Sequence, residues 1–274
     1  GGHSLLAMRL VALVRKTFDL DIFVKDIFAN PTIAELANFI EQSGVQTEIP
    51  PLVLGPRPSN IPLSFSQERL WFIDQLEGSV QYNSPTVFRL RGALNIPALE
   101  KALQAIINRH EVLRTVFREE NGKPYQQVLE QDSWQMEFID GSSYKDQPDA
   151  IKKLIEECVM RPFNLAKDHM LRGQLITIEP NNFILAVSIH HIASDAWSLP
   201  IIVSEVVEHY RAIVDSRAVQ LPALPVQYAD YAVWQRNYLT GKVLEDKLAY
   251  WKQKLDDVSY LNLPTDFARP AIGN

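Results

Sequence analysis

An apolar run, Phe183-Ile184-Leu185-Ala186-Val187-Ser188-Ile189, leads directly into His190-His191-Ile192-Ala193-Ser194-Asp195. Imidazole suits proton handling near neutral pH, because its ordinary pKa is about 6.5. Two histidines at the exit of a buried strand, with a carboxylate four residues beyond the second, form a constellation fit for acid–base work. Strand alternation sends the two imidazoles to opposite faces. They therefore cannot serve one reaction centre together: one is expected to face a cleft and the other to pack or take a structural hydrogen bond. A helical zinc motif wants histidines at i and i+4, which this spacing lacks, so no metal site is expected. On spacing alone a satisfied pair of core histidines is the plainer reading, and catalysis is the sharper one.

A second candidate lies at the start. Ser4 stands before Leu5, Leu6, Leu10, Leu13 and Val14, which fit a mostly apolar helical stripe, so it occupies the place where a helix N-cap belongs. A phosphate ester on that hydroxyl would also be favoured there, since free backbone N–H groups and the helix dipole attract an anion. The structural and the functional readings of Ser4 are thus physically compatible.

The 274 residues are 46% hydrophobic, enough for a packed core. Acidic residues outnumber basic ones, 33 to 27, which speaks against nucleic acid as a partner. The single cysteine, Cys158, rules out an internal disulfide and fits a reducing, cytoplasmic setting. No run approaches the roughly 18 apolar residues of a membrane span, and no secretory signal opens the chain. The opening Gly1-Gly2-His3-Ser4, without an initiator methionine, reads as a piece cut from something longer.

Residues 1–43 have helical periodicity. A capping box at Thr32 and Glu35 precedes a face of Ile33, Leu36, Ala37 and Ile40. Residues 44–60 hold Pro50, Pro51, Pro56 and Pro58 without sustained periodicity and read as a semi-rigid linker. From residue 61 to 274 strands and helices mix, and the class is α+β. Helices are expected over 64–75, with a capping box at Ser64 and Gln67, and over 97–108, 150–160, 199–214, 226–238 and 244–255. Strands are expected over 112–117, 125–129, 171–178 and 183–190. Asn121-Gly122 is a hairpin turn signal, because both residues tolerate positive φ.

The motifs resemble those of a known family. His190-His191-x-x-x-Asp195 is similar to the HHxxxDG signature of condensation domains, the amide-forming domains of nonribosomal peptide synthetases. Three companions follow in the family's order: Ser64-Phe65-Ser66-Gln67-Glu68-Arg69-Leu70-Trp71, Arg109-His110-Glu111-Val112-Leu113-Arg114-Thr115-Val116-Phe117, and Tyr228-Ala229-Asp230-Tyr231 through Gln235. The resemblance covers about residues 60–274. Gln75-Leu76 and Tyr82-Asn83-Ser84-Pro85 resemble the subtype that joins an L-configured donor to an L-configured acceptor. Gly1-Gly2-His3-Ser4-Leu5-Leu6 resembles the carrier-domain motif whose serine receives 4′-phosphopantetheine.

The resemblance implies a carrier remnant over 1–43. It implies one lobe of a two-lobed, chloramphenicol-acetyltransferase-like mixed sheet over 61–274. The implied reaction is amide formation between two carrier-bound thioesters. Epimerization on the same fold and an inactive carrier-plus-scaffold piece are the alternatives. The implied roles are His191 as the catalytic-site histidine and His190 as mainly structural. Asp195 is implied to be a buried structural carboxylate, which needs a partner and is held by an arginine, Arg114 first and Arg109 second, and Ser4 to be the phosphopantetheine attachment point. Trp71, Trp197 and Trp234 are expected in the core, with Tyr228 and Asp230 bracing the fold. Implied partners are upstream and downstream carrier and adenylation domains and a phosphopantetheinyl transferase. Ala196 stands where the family has glycine.

Overall fold

The structure, a computed structural model, describes residues 4–20, 22–43 and 49–259, together with 264 and 266. By compactness the chain divides into residues 1–236 and 237–274.

The chain opens with α1 (Ser4–Phe18), α2 (Val24–Ala29) and α3 (Ile33–Gln42). The Thr32–Glu35 capping box forms: the Glu35 N–H donates to Thr32 Oγ1 and the Thr32 N–H to Glu35. The buried stripe of α1 is Ala7, Val11 and Val14, at i, i+4 and i+7, and its two valines pack with Ile22, Phe39 and Ile40. Leu6, Leu10 and Leu13 were expected on that stripe but are exposed, as is Ile33 of α3. Three short helices cover only a narrow seam, so most of the apolar residues on them stay outside.

The following segment contains β1 (Ile61–Pro62), α4 (Phe65–Glu77), β2 (Asn83–Arg91), α5 (Ile96–Arg109), β3 (Thr115–Glu120) and β4 (Lys123–Val128). Then come β5 (Glu137–Asp140), α6 (Pro148–Met160), β6 (Leu171–Glu179), β7 (Asn182–His190), α7 (Ser198–Val214) and α8 (Tyr228–Tyr238). The strands form two sheets, ordered β1-β4-β3 and β2-β7-β6-β5. In the larger sheet β7 runs antiparallel to both neighbours, and only β5–β6 is parallel. The Asn121-Gly122 turn closes the β3–β4 hairpin with both residues at positive φ. The expected strand over 112–117 is shifted toward the C-terminus, to Thr115–Glu120, because residues Glu111–Arg114 form a 3-10 turn before β3 begins.

Alternation along β7 explains its near-continuous apolar run. Phe183, Leu185 and Ile189 join a core with Leu99, Leu103, Ile106 and Ile202 from α5 and α7. Ile184 joins Cys158, Ile176 and Ile178 on the α6 side. A strand covered on both faces has no polar side to alternate with. A third cluster, Leu63, Leu70, Phe117, Phe163, Met170 and Ile192, lies at the His190 end of β7.

Residues 237–274 contribute α9 (Gly241–Leu255), whose Leu248, Tyr250, Trp251 and Leu255 are exposed.

Candidate active site

The C-terminal end of β7 delivers the two histidines into different surroundings. His190 is fully buried, with its ring edge-on to Phe163 at 5.7 Å. Its Nδ1 accepts the Ile192 N–H at 3.1 Å, and its Nε2 lies 3.0 Å from Ser79 Oγ. Because Nδ1 is an acceptor, the ring proton sits on Nε2 and is donated to Ser79. Burial lowers the His190 pKa to about 4, with the neighbouring His191 adding to the effect and the Ser79 contact opposing it. His190 is therefore neutral at physiological pH.

His191 lies just beyond the strand and is exposed. Its Nδ1 is 2.6 Å from the Ser194 carbonyl. A carbonyl only accepts, so Nδ1 carries the proton and Nε2 presents a lone pair outward. An imidazole held at one nitrogen and open at the other is the arrangement a proton acceptor or a hydrogen-bonding anchor needs.

Asp195 differs from expectation. It is exposed, and its Oδ1 accepts from Ser198 Oγ at 2.6 Å, the Ser198 N–H at 2.8 Å and the Trp197 N–H at 3.1 Å. Partial burial raises its pKa, but the Ser198 and Trp197 donors outweigh this and hold it below the usual carboxylate range. These are the first amides of α7, so Asp195 fastens the start of that helix.

Neither proposed arginine faces Asp195. Arg114 donates to the carbonyls of Asn108 and Leu129 and lies 3.9 Å from Glu111. Arg109 bonds Glu205 at 3.1 Å and the Pro222 carbonyl at 2.6 Å. The expected aspartate–arginine pair is thus replaced by a helix-end cap. An exposed carboxylate with three donors needs no buried counter-charge.

The other motif residues form braces. Ser64 accepts the Gln67 N–H and lies 3.0 Å from the Tyr228 hydroxyl. Asp230, almost fully buried, is gripped by Arg57 at 2.6 and 3.0 Å, and Arg57 also reaches Glu111 at 2.6 Å. Trp71 packs at the third cluster and Trp234 stacks on Tyr231, whereas Trp197, expected in the core, is exposed. Ala196 is absent from the residues with positive φ, so its backbone does not require glycine. Arg57, Ser79, Ser198 and Glu205 carry contacts that no sequence motif pointed to. The histidine–serine pair joins residues 111 positions apart, and spacing holds no trace of such a contact.

Ser4 is the first residue of α1, and the first turn of that helix carries no acidic residue to repel a phosphate. The first three residues of the attachment motif, Gly1-Gly2-His3, lie outside the described residues. Among the described residues no group of three or more histidine, cysteine or acidic side chains could hold a metal. No helix of the described residues is long and apolar enough to cross a membrane.

Comparisons with known proteins match both parts of the chain. Residues 58–274 match the condensation domain family model, and residues 1–40 match the phosphopantetheine attachment site model. The chain belongs to the condensation domain family and carries a phosphopantetheine attachment segment ahead of that domain. Among its relatives are one of the linear gramicidin synthase proteins of Brevibacillus parabrevis, 39% identical over 279 residues, and the dimodular nonribosomal peptide synthase of Bacillus subtilis (strain 168), 38% identical over 279 residues. Each alignment covers 99% of this chain but only 6% and 12% of the respective relative. The X-domain from teicoplanin biosynthesis is 29% identical with a TM-score of 0.71, covering 81% of this chain and 49% of that one. The starter condensation domain of rhizomide synthetase RzmA, at 20% identity and TM-score 0.65 over 74% of this chain and 49% of that one, shares the fold. The expected α+β lobe is therefore that of a condensation domain.

Proposed function

We propose that this chain acts in nonribosomal peptide synthesis, joining a donor acyl or peptidyl thioester to the amine of an acceptor aminoacyl thioester. The observation that carries the reading is His191, fixed through Nδ1 and open at Nε2 at the end of β7 in a condensation-family lobe. Phosphopantetheine bound at Ser4 supplies the thiol that carries an acyl group as a thioester.

The role assigned to His191 is modest in proton terms. An α-amino group has a pKa of about 7.7–8, so an appreciable fraction of it is already neutral at cellular pH. The Nε2 lone pair orients the attacking amine and accepts its proton as the amide forms and the thiol leaves. His190 supports it and does not react: it is fully buried, and both its nitrogens are engaged. Asp195 shapes the loop by fastening α7.

The domain reading is a carrier part over 1–43, a linker over 44–60 and the lobe over 61–274. The end of that linker travels with the lobe, since Arg57 binds Asp230 and Glu111 and the Pro50 carbonyl accepts from Trp234. Partners on this reading are neighbouring carrier and adenylation domains and a phosphopantetheinyl transferase, in the cytoplasm. The test is to load a donor on Ser4, supply an acceptor on a separate carrier and analyse the product by mass spectrometry and chiral chromatography. An amide with retained configuration supports condensation. A changed α-carbon configuration without an amide, or no reaction even when the lobe is extended to full domain length, overturns it.

A further inference from the structure

The segment that follows α4 straps the end of β7 at two points. The Tyr82 carbonyl accepts the His191 N–H at 2.9 Å, and Ser79 Oγ meets His190 Nε2 at 3.0 Å. Ser79 is itself buried, and its hydroxyl donates to the Asp74 carboxylate of α4. A chain of fixed polarity results. The Ile192 N–H donates to His190 Nδ1, His190 Nε2–H donates to Ser79, and Ser79 donates to Asp74. The carboxylate end accepts only, which sets the direction of every donor before it.

We propose that Ser79 and Asp74 are positioning residues for the site histidine. They hold His190 in a single tautomer, and through it the backbone that presents His191. The inference rests on the reading of His191 given above.

Three consecutive amides at and just beyond the end of β7 each have one partner. His190 N–H goes to the Met170 carbonyl at 3.0 Å, His191 N–H to the Tyr82 carbonyl at 2.9 Å, and Ile192 N–H to His190 Nδ1 at 3.1 Å. The third of these exists only while Nδ1 is unprotonated. Without the Ser79 acceptor, a buried Nε2–H is left unpaired, which is costly for a ring with no access to water. The ring then gains by rotating toward another acceptor, which breaks the Ile192 bond and with it the constraint that keeps Nδ1 unprotonated; moving the proton to Nδ1 without rotation would set two donors face to face. Ile192 directly follows His191, and Ser194, which anchors the His191 ring, is two residues further on. Asp74 is half-buried at the wall of an open cavity of about 730 Å³, which it lines with Trp71, Gln75, Phe117 and Phe163.

The test uses the chain with ¹⁵N-labelled histidine, as wild type, Ser79→Ala, Ser79→Thr and Asp74→Asn, with His190→Gln and His191→Gln to assign the imidazole spectra. The wild type should show His190 in the Nε2–H form and His191 in the Nδ1–H form. Ser79→Ala should lose the single-tautomer pattern of His190 and weaken the Nδ1–H signal of His191. Ser79→Thr, which keeps the hydroxyl, should restore both. In a synthetase module containing the chain, Ser79→Ala should lower kcat about tenfold to a hundredfold, the scale of a misplaced catalytic group, with acceptor KM within about twofold. An unchanged His191 signal or an unchanged kcat in Ser79→Ala overturns the proposal. If Ser79→Ala does not fold, Asp74→Asn at the half-buried end carries the same readouts. If the wild type makes no amide at all, the functional reading fails while the spectra still decide the positioning.

Discussion

Replacing Asp195 with alanine removes one acceptor from three donors, namely Ser198 Oγ and the N–H groups of Ser198 and Trp197. All three belong to the start of α7, so the loss is that of a helix cap, about 1 kcal/mol and at most about 2. Exposure keeps the figure low, because water substitutes for part of what is removed. Breaking a buried ion pair would cost about 3–5 kcal/mol instead. Thermal and urea denaturation distinguish the two, since each kcal/mol shifts Tm by roughly 2–4 °C for a domain of this size. A double-mutant cycle is sharper. Asp195→Ala and Ser198→Ala should couple by about 0.5–1 kcal/mol, since Ser198→Ala removes the hydroxyl donor and leaves the two backbone donors, whereas Asp195→Ala and Arg114→Gln should add within about 0.3 kcal/mol. Asp195→Asn should retain most of the stability, because asparagine caps nearly as well. The folded pKa of Asp195 is depressed, so its contribution is present above the unfolded carboxylate value of about 3.9 and fades as pH falls through the lower folded value. Asp195→Asn should lack that acid-side loss. A cost of 3 kcal/mol or more, coupled to Arg114, would refute the cap and restore the ion pair.

Other outcomes follow from the same contacts. His190 has a folded pKa of about 4 against about 6.5 unfolded. The unfolded chain therefore binds the extra proton between those values, and stability should fall by about 3 kcal/mol as pH drops from 6.5 to 4. A pH series of urea melts should show this loss in the wild type and a flatter profile in His190→Gln. Arg57→Ala strands the buried Asp230 and should cost about 3 kcal/mol, the low end for a broken buried pair, read by denaturation. Incubation with a phosphopantetheinyl transferase and coenzyme A should add one phosphopantetheine mass to the chain, and Ser4→Ala should abolish it. The 274-residue chain spans about half of the solved condensation-type chains, and its His191 is exposed to water. Its condensation rate should lie well below that of the same lobe extended to full domain length, measured with identical loaded carriers.

The elements that announce themselves locally were legible in the sequence. β7 is a long apolar run, the β3–β4 turn is an Asn-Gly pair, and α3 and α4 open on capping boxes whose two members are three residues apart. β2 escaped notice because its residues alternate without a clean apolar face, and β5 is only four residues long. The histidines could be placed, since strand alternation alone separates them. Their partners could not. Ser79, itself bonded to Asp74, meets His190 over 111 positions, and Arg57 reaches Asp230 over 173 positions. The misplaced arginine partner of Asp195 has a similar origin. A carboxylate assumed to be buried calls for a counter-charge, but burial depends on packing, and here the α7 amides satisfy it. On α1 the periodicity was right and the face was not, because Leu6, Leu10 and Leu13 lie on the side the other two helices do not cover.

The central claim is that His191 serves amide formation between two thioesters. Single-turnover rates test it most directly, with donor loaded on Ser4 and acceptor on a separate carrier, in the full-length domain and its His191→Ala variant under quench-flow conditions. The account predicts an amide of retained configuration from the wild type. In His191→Ala the rate should drop about 10²-fold or more, the usual scale for a positioned acid–base group, with melting behaviour unchanged. An equal rate in the two proteins would contradict it, as would a wild-type product that is only epimerized.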